Sequence, residues 1–216
     1  MANVCWNRVA YCGNNEMELI RLYLVLSNVK NHNSRGLLRE LGCDDATINT
    51  IDGRTYVSSV ELVCTGTTNR CIGVILDMES AWSPCVDFMT ALLTTILPGG
   101  GDCDYVYMAE EPWCEVFINT DLEGRFFSER VCVDAHIPDE EEFQRYYGDG
   151  ELRNLICDIG EWSGVTIESF EDLLNPDVIQ SIDNGFRDIY GLSRDSEESD
   201  EFYLYVNVYT DEDGRL

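Results

Sequence analysis

The sequence predicts an α+β fold, and three observations lead to this prediction. Four segments of the first 110 residues predict strands, the first by its alternation of apolar and polar side chains and the second by its β-branched and aromatic residues. Apolar residues recur at helical spacing in two segments between them. The chain has 216 residues, which is enough for a sizeable core. In order, these segments give β-α-β-β-α-β, the split βαβ, ferredoxin-like arrangement of a four-stranded antiparallel sheet with two helices on one face.

The N-terminal 30 residues predict the first strand and the first helix. Side chains alternate from Asn3 to Cys12, and a Gly-Asn-Asn turn follows. Either asparagine is a suitable N-cap for a helix from Glu16 to Lys30. This helix is apolar nearly all round, so we expect heavy burial against the sheet. The side chains expected to face inward are Met17, Ile20 and Leu24, with one or more of Leu19, Tyr23 and Leu26.

The second and third strands are predicted as an antiparallel pair. Residues 55–65 are rich in β-branched and aromatic side chains, a turn-rich segment follows, and residues 71–79 supply the return strand. Residues 31–54 predict mainly loop. Within that loop, a short helical turn is expected from Leu37 to Leu41, with Gly42 at its end.

The second helix is predicted at residues 83–97. Ser83 suits the N-cap, Pro84 suits the first helical position, and Asp87 lies near the positive end of the helix dipole. One proline and three glycines then end the helix. Trp82 precedes the predicted cap, and we expect it to be buried between the helix and the sheet.

A fourth strand and an added hairpin complete the first part of the chain. Residues 103–109 predict the strand. Residues 114–119 then alternate, a turn containing glycine follows at residues 121–124, and residues 126–133 alternate again. Alternation on both sides of such a turn predicts a hairpin.

Two short motifs of this arrangement resemble those of a known family. They are Met1-Ala2-Asn3-Val4-Cys5-Trp6-Asn7-Arg8-Val9 at the start and Ala81-Trp82-Ser83-Pro84 before the second helix. The YubB-type ferredoxin-like family of phages, plasmids and conjugative elements typically begins Asn-Trp-Cys-x-Asn-Arg and carries Trp-x-Pro-Pro or Trp-Ser-Pro there. In this chain the first order is Cys5-Trp6, and Cys85 follows Pro84. The resemblance covers roughly residues 1–135 and implies a fold and a mobile-element setting, without catalytic residues.

An acidic, mostly helical C-terminal part is predicted after this region. Residues 138–216 hold 22 acidic and 5 basic residues, whereas residues 1–137 hold 19 and 9. The predicted domains are therefore 1–137 and 138–216, and we expect the second to pack on the first. Helices are predicted at residues 140–147, 151–159, 167–174 and 176–190, with Ser169 and Asn175 as candidate caps, a polar loop at 193–201 and a strand at 202–209.

The ten cysteines and two histidines give no sign of a metal or cofactor site. No Cys-x-x-Cys pair occurs, and most cysteines fall on apolar positions of predicted elements, where a thiol acts as a small hydrophobe. The sequence also contains no apolar run of about 18 residues and no basic segment followed by an apolar one at its start. These features predict a cytoplasmic protein of a bacterial host, with no cofactor.

The net charge of −27 is the most extreme property of the sequence. Such a field opposes direct binding to nucleic acid or to an anionic membrane, because phosphate binding requires cations. A basic partner is favoured instead. The alternative is that the charge serves solubility alone.

No motif predicts an enzyme. A glycosidase needs two carboxylates in different environments, and nothing selects a pair among 41 acidic residues. A cysteine or serine nucleophile needs a positioned base, for which two histidines leave little choice. Residues 99–101 are three glycines, but they follow a helix and lack a nearby lysine, unlike a phosphate loop.

The leading hypothesis is an acidic interaction protein of a phage or mobile element that mimics DNA. Carboxylates spaced like phosphates would occupy the basic channel of a host defence enzyme that binds nucleic acid. The predicted interface residues are Glu140, Glu141, Glu142, Asp149, Glu151, Asp158, Glu161, Glu168, Glu171, Asp172, Glu197, Glu198, Asp200 and Glu201.

Two alternatives remain open at this point. A protein that binds or sequesters a nucleotide signal would need convergent cations, for which Arg125 and Arg130 are candidates. Those arginines would instead be structural if they pair with Glu115 and Glu129 across strands. An assembly role, as a homodimer through an exposed sheet edge, is the other alternative.

Overall fold

The structure is a computed structural model that describes residues 3–30, 32–66, 69–99, 101–138, 141–192 and 202–216. Contacts between Cα atoms divide the chain into two compact units, Met1–Ile118 and Asn119–Leu216. The boundary predicted after residue 137 lies inside the second of these units. Each unit has its own antiparallel sheet and its own hydrophobic core, so the predicted α+β class is confirmed.

The first unit is built on a five-stranded sheet. Its elements are β1 (Val4–Gly13), α1 (Glu16–Leu26), α2 (Ser34–Glu40), α3 (Asp45–Thr50), β2 (Tyr56–Cys64), β3 (Cys71–Ala81), α4 (Val86–Ile96), β4 (Cys103–Glu111) and β5 (Val116–Asn119). The strand order is β2-β3-β1-β4-β5. The β1 strand pairs antiparallel with β3 and β4, and β3 pairs antiparallel with β2. The predicted strands β1 to β4 are therefore all present.

One face of this sheet and the helices enclose the core of the first unit. Alternate residues of β1, among them Cys5, Val9 and Tyr11, are buried in that core with Phe88 and Leu92 of α4. The hydroxyl of Tyr11 donates to the carbonyl of Met89 at 2.9 Å, which satisfies a fully buried polar group. The remaining residues of β1 therefore project from the opposite face, which we call the open face.

The buried face of α1 differs from the predicted one. Its buried residues are Leu19, Leu22 and Leu26. Leu19 and Leu26 were among the residues predicted to face inward, so this part of the prediction is confirmed. Met17 is 72% exposed and Leu24 is 53% exposed, so the prediction that these two face inward is wrong. The helix carries apolar residues on nearly every side. The periodicity alone therefore fits either stripe, and packing against the sheet selects the leucines.

Two short helices replace most of the predicted loop between α1 and β2. The α2 helix contains the predicted turn, and Gly42 follows it with φ of 82°, as expected of a residue that ends a helix. The α3 helix was not predicted. Asp44 caps it by accepting the Thr47 amide at 2.9 Å. A cap and six helical residues are too short for apolar periodicity to show.

The α4 helix begins two residues later than predicted. The β3 strand continues to Ala81, and Trp82 takes a left-handed conformation with φ of 71°. The helix starts at Val86 behind Cys85, which makes no side-chain cap hydrogen bond, so the prediction of Ser83 as cap is wrong. Trp82 is 46% exposed, which contradicts its predicted burial.

The second unit is built on a three-stranded sheet. Its elements are β6 (Glu129–His136), β7 (Phe143–Gly148), α5 (Leu152–Ser163), a 3₁₀ helix (Phe170–Leu174), α6 (Pro176–Tyr190) and β8 (Tyr203–Val208). The order is β7-β6-β8, and both pairings are antiparallel. The predictions of α5, α6 and the last strand are confirmed. Asn175 caps α6 as predicted, since it accepts the Asp177 amide at 3.0 Å.

The predicted hairpin at residues 114–134 is wrong, because β5 and β6 belong to different sheets. The turn itself exists, with the Gly124 amide donating to the Asp121 carbonyl at 2.9 Å. The Asp121 carboxylate then accepts the amides of Phe126 and Phe127 at 2.6 and 2.9 Å. These bonds hold residues 121–127 as a loop, and β6 pairs instead with β7 and β8.

The predicted helix at residues 140–147 is a strand in the structure, β7. Phe143 pairs with Ala135 and Tyr147 pairs with Val131 of β6. Two aromatic residues four apart fit a helix as well as a strand, because both periods place them on one face. The pairing with β6 decides the outcome, and short sequences do not contain that information.

Candidate functional site

The predicted acidic interface maps mainly to the helices of the second unit. The α5 and α6 helices bury residues such as Leu155, Ile159, Ile182 and Phe186 in the core of that unit, which leaves their polar sides exposed. Nine of the predicted carboxylates are described, and the other five lie outside the described residues. The latter are Glu140, Glu197, Glu198, Asp200 and Glu201.

Three of the described carboxylates stabilise the ends of strands and helices. Asp149 accepts the Arg130 guanidinium at 3.0 Å. Glu151 accepts the amide of Gly148 at 3.1 Å, beside the start of α5. The Asp172 carboxylate accepts hydrogen bonds from two backbone amides, those of Glu168 and Ser169, at 2.7 and 3.0 Å. These three carboxylates already have hydrogen-bond donors within the second unit, so part of their acceptor capacity is used there.

Two further predicted carboxylates contact tyrosine hydroxyls. Asp158 accepts the hydroxyl of Tyr147 at 2.5 Å and pairs with Arg145 at 3.2 Å. Burial and the hydrogen bond to Asp158 raise the pKa of Tyr147 well above its usual range. Glu142 accepts the hydroxyl of Tyr203, where burial and this hydrogen bond likewise raise the tyrosine pKa. Both carboxylates are therefore tied to the second sheet.

The remaining carboxylates are exposed. Glu141 lies before β7, and Glu161, Glu168 and Glu171 lie on and after α5. Sequence reasoning missed two equally exposed residues of α6, Asp177 and Asp188, which the polar face of that helix would have indicated. We use the name acidic layer for five exposed carboxylates on α5, on α6 and in the segment that joins them: Glu161, Glu168, Glu171, Asp177 and Asp188.

Within the described residues of each unit, the paired arginines lie in separate segments. Six of them form ion pairs with carboxylates at 2.6–3.2 Å in six different segments of the described chain. Arg130 is 4% exposed and donates to the carbonyls of Asp121 and Leu122 at 3.1 Å, so its role is structural. Its ionic partner is Asp149 rather than the predicted Glu129. Arg125 lies over the ring of the adjacent Phe126.

A shallow groove on the exposed side of α1 is apolar. Its volume is about 440 Å³, and it contains one cation, Arg21. Its lining is Met17, Ile20, Arg21, Leu24, Val25 and Asn28. A nucleotide site needs several convergent polar groups, which this lining does not offer.

Two thiols of the first unit, those of Cys5 and Cys85, have strongly raised pKa values. All ten cysteines are free, and the described residues contain no group of three or more potential ligands that could hold a metal ion. Burial raises the pKa of Cys5 to about 11 and that of Cys85 to about 12. A thiol with so high a pKa is a poor nucleophile at neutral pH.

Four side chains form a cluster on the face of the second sheet that points away from its core, and the sequence did not reveal this cluster. Asp134 of β6 pairs in register with Tyr205 of β8, and His136 pairs with Tyr203. The rings of Tyr203 and Tyr205 stack with centroids 4.9 Å apart. Burial, and then the nearby Glu142, raise the pKa of Asp134. Only the cross-strand register brings these residues together, and the sequence contains no sign of it.

Comparison with known proteins adds little. The chain matches no family model and no curated protein. It is similar to a solved structure of an unknown protein from Galdieria sulphuraria, with a TM-score of 0.23 and 9% identity over 96% of this chain and 99% of the other. At this TM-score the similarity carries no argument about fold or function. Within the described part of the chain, no helix has the length and apolar character needed to cross a membrane.

Proposed function

We propose that this protein is a non-enzymatic interaction protein that uses the acidic layer to bind a basic surface of a partner. The observation that carries the proposal is an imbalance in the second unit, whose 98 residues hold 26 acidic and 7 basic side chains. Arg130, Arg145 and Arg187 are each paired locally with an aspartate. The carboxylates of the acidic layer are left exposed to attract a cationic partner.

The partner class follows from the same electrostatics. A strongly negative protein repels nucleic acid and anionic membranes, and it associates fastest with proteins that are positively charged. Enzymes that bind nucleic acid present such surfaces. We therefore propose a host defence enzyme as target, inhibited by a phage or mobile-element protein whose carboxylates stand in for phosphates.

The proposed setting draws on the first unit. The strand order β2-β3-β1-β4 supports a ferredoxin-like domain, because the elements follow the order β-α-β-β-α-β once the short helices α2 and α3 are left out. Together with the motifs around Trp6 and Trp82, it supports membership of the YubB-type family. The ten free cysteines support a reducing compartment such as the bacterial cytoplasm. The dispersed arginines disfavour the alternative of a nucleotide-binding protein.

The test is an affinity pulldown of the tagged protein from a bacterial host lysate, at low and moderately high salt and with competing DNA. We expect one nucleic-acid-binding enzyme to be retained, and to be released by salt or DNA. A variant that removes three charges of the acidic layer, Glu161→Gln with Glu168→Gln and Glu171→Gln, is expected to lose the partner. Binding of an enzyme that neither salt nor DNA weakens would contradict the proposal.

A matched control removes the same charge from the first unit. Glu61, Asp102 and Glu115 are exposed, and the triple Glu61→Gln, Asp102→Asn, Glu115→Gln has the same net charge as the acidic-layer triple. We expect it to retain the partner. Equal loss in both triples would show that net charge alone acts, and that the acidic layer has no special role.

A further inference from the structure

A row of four side chains crosses the open face of the first sheet. Tyr56 of β2 is opposite Glu79 of β3, and Glu79 is opposite Trp6 of β1. Trp6 is in turn opposite Glu110 of β4. Residues directly opposite in an antiparallel sheet project to the same side with Cβ atoms about 5 Å apart. We call Tyr56, Glu79, Trp6 and Glu110 the Trp6 row.

The aromatic members of this row are exposed. Trp6 is 56% exposed and Tyr56 is 54% exposed, whereas their chain neighbours Cys5, Asn7 and Val57 are buried on the other face. Exposed aromatic side chains keep a large apolar surface in contact with water. A partner that covers this surface is therefore favoured.

A carboxylate lies between the two rings. Neighbouring strands are about 4.8 Å apart, so Tyr56 and Trp6 are separated by about 10 Å with Glu79 between them. A cationic group on the face of Trp6 therefore lies one strand spacing away from a residue that carries a carboxylate. A purely apolar partner would have to desolvate that carboxylate without compensation.

The next row of the same face shows how a guanidinium is held there. Arg8 of β1 is opposite Asp77 of β3 and donates to its carboxylate at 3.0 Å. The hydroxyl of Ser59 orients the same carboxylate at 2.5 Å. Thus an arginine on the strand that carries Trp6 pairs with an acid on the strand that carries Glu79.

We propose that the Trp6 row binds an arginine side chain from an extended segment of a partner protein. The planar guanidinium stacks on the indole of Trp6 and donates hydrogen bonds to Glu79, while Tyr56 and Glu110 flank it. Arginine suits this site better than lysine, because its guanidinium is flat, weakly hydrated and able to bind a carboxylate with two donors. This inference does not depend on the acidic layer, which belongs to the other unit.

The test measures binding of a short peptide by nuclear magnetic resonance. The probe is acetyl-Gly-Gly-Arg-Gly-Gly-amide, and the matched control peptide contains citrulline, which has the same shape without the charge. The indole N–H signals of the four tryptophans are followed, and the Trp6 signal is identified by its loss in Trp6→Phe. We expect the arginine peptide to shift the Trp6 signal and the citrulline peptide to leave it in place. Equal shifts with both peptides would overturn the proposal.

Variants then separate a site from the general negative field. Glu79→Gln removes the central carboxylate and is expected to lower the affinity for the arginine peptide about threefold to fivefold. Glu61→Gln removes an exposed carboxylate elsewhere on β2 and should change affinity less than twofold. Equal weakening by the two variants would refute a specific site. Tyr56→Leu, on an edge strand, is a second test and should weaken binding about twofold.

The acidic-layer triple distinguishes this inference from the proposed function. It should bind the arginine peptide as the unaltered protein does, because its changes lie in the second unit. Loss of peptide binding in that triple would refute the Trp6 row and leave the proposed function standing. Loss of the lysate partner with retention of the peptide would have the opposite meaning.

Discussion

The two units use their carboxylates in different ways. The second unit is far more acidic, with a net charge of −19 against −8 in the first. Several of its predicted interface residues nevertheless accept hydrogen bonds from neighbouring groups of the same unit. Examples are Asp149, Glu151 and Asp158. In the first unit, Glu79 lies between two exposed aromatic rings. Charge density alone therefore does not locate a binding surface; the local partners of each carboxylate do.

The largest expected effect tests the structural use of charge in the second unit. Arg130→Ala should lower the free energy of unfolding by about 3 kcal/mol, because it removes one donor from each of the carbonyls of Asp121 and Leu122 and opens a space in a buried position. The ion pair itself contributes little, since the Asp149 side chain is 64% exposed. Urea denaturation measures the change.

Arg153→Ala is the matched control, because Arg153 is exposed on α5. Its expected change is within about 0.5 kcal/mol. If both variants unfold at the same urea concentration, the Arg130 contacts do not stabilise the second unit, and its carboxylates are freer for binding than we infer.

The same contrast explains what the sequence could predict. The α6 helix was predicted with its correct limits because its apolar spacing and its cap, Asn175 followed by Pro176, are local signals. The strands β1 to β4 were predicted because alternation, β-branched and aromatic residues and turn residues are also local signals. The Trp6 row was not, since the register that brings Tyr56, Glu79 and Trp6 together depends on pairing between distant segments.

The failed predictions have the same cause. The face of α1 was misassigned because two apolar stripes compete, and only the sheet selects between them. The hairpin after β4 was expected because alternation and a turn are local, while the choice of β7 and β8 as partners of β6 is not. The sequence gives the charge of each residue. It does not predict the intramolecular partners of Asp149 or Asp158.

A second prediction concerns buried thiols, which are prominent in the first unit. Burial raises the pKa of Cys85 from 9.0 to about 12 and that of Cys5 to about 11. Above about pH 9 the unfolded chain releases these protons while the folded chain retains them, so the free energy of unfolding falls as pH rises towards the folded pKa values. The stabilisation is complete below pH 9. We expect Cys85 to account for about 1–2 kcal/mol of the loss between pH 8 and pH 10.5.

Urea denaturation at the two pH values measures this loss in the unaltered protein and in two variants. Cys85→Ala should reduce the dependence on pH, whereas Cys157→Ala, at an exposed position of the second unit, should leave it unchanged. An identical pH dependence in all three proteins would show that the thiol of Cys85 does not remain protonated in the folded state.

A third prediction tests a polar cap in the acidic unit. Asn175→Ala removes the acceptor of the Asp177 amide at the start of α6 and should cost about 1 kcal/mol. Asn154→Ala, at an exposed position within α5, serves as control, and alanine there should be neutral or slightly stabilising. Thermal unfolding of both variants measures the difference. A cap that costs no more than the control would mean that tertiary packing alone fixes the start of α6.

The smallest expected effect tests whether the carboxylates of the acidic layer contribute to the stability of the second unit. Glu161, Glu168 and Glu171 are exposed, in a unit that is already strongly negative. Removing three of these charges should therefore relieve repulsion and raise the free energy of unfolding by about 0.5 kcal/mol at low salt. At about 0.5 M salt the gain should vanish, because screening removes the repulsion. A loss of stability that persists in salt would place these glutamates with Asp158 and Asp172 as parts of the fold. The carboxylates on which the proposed function depends would then have structural roles, and they would not be available to a partner.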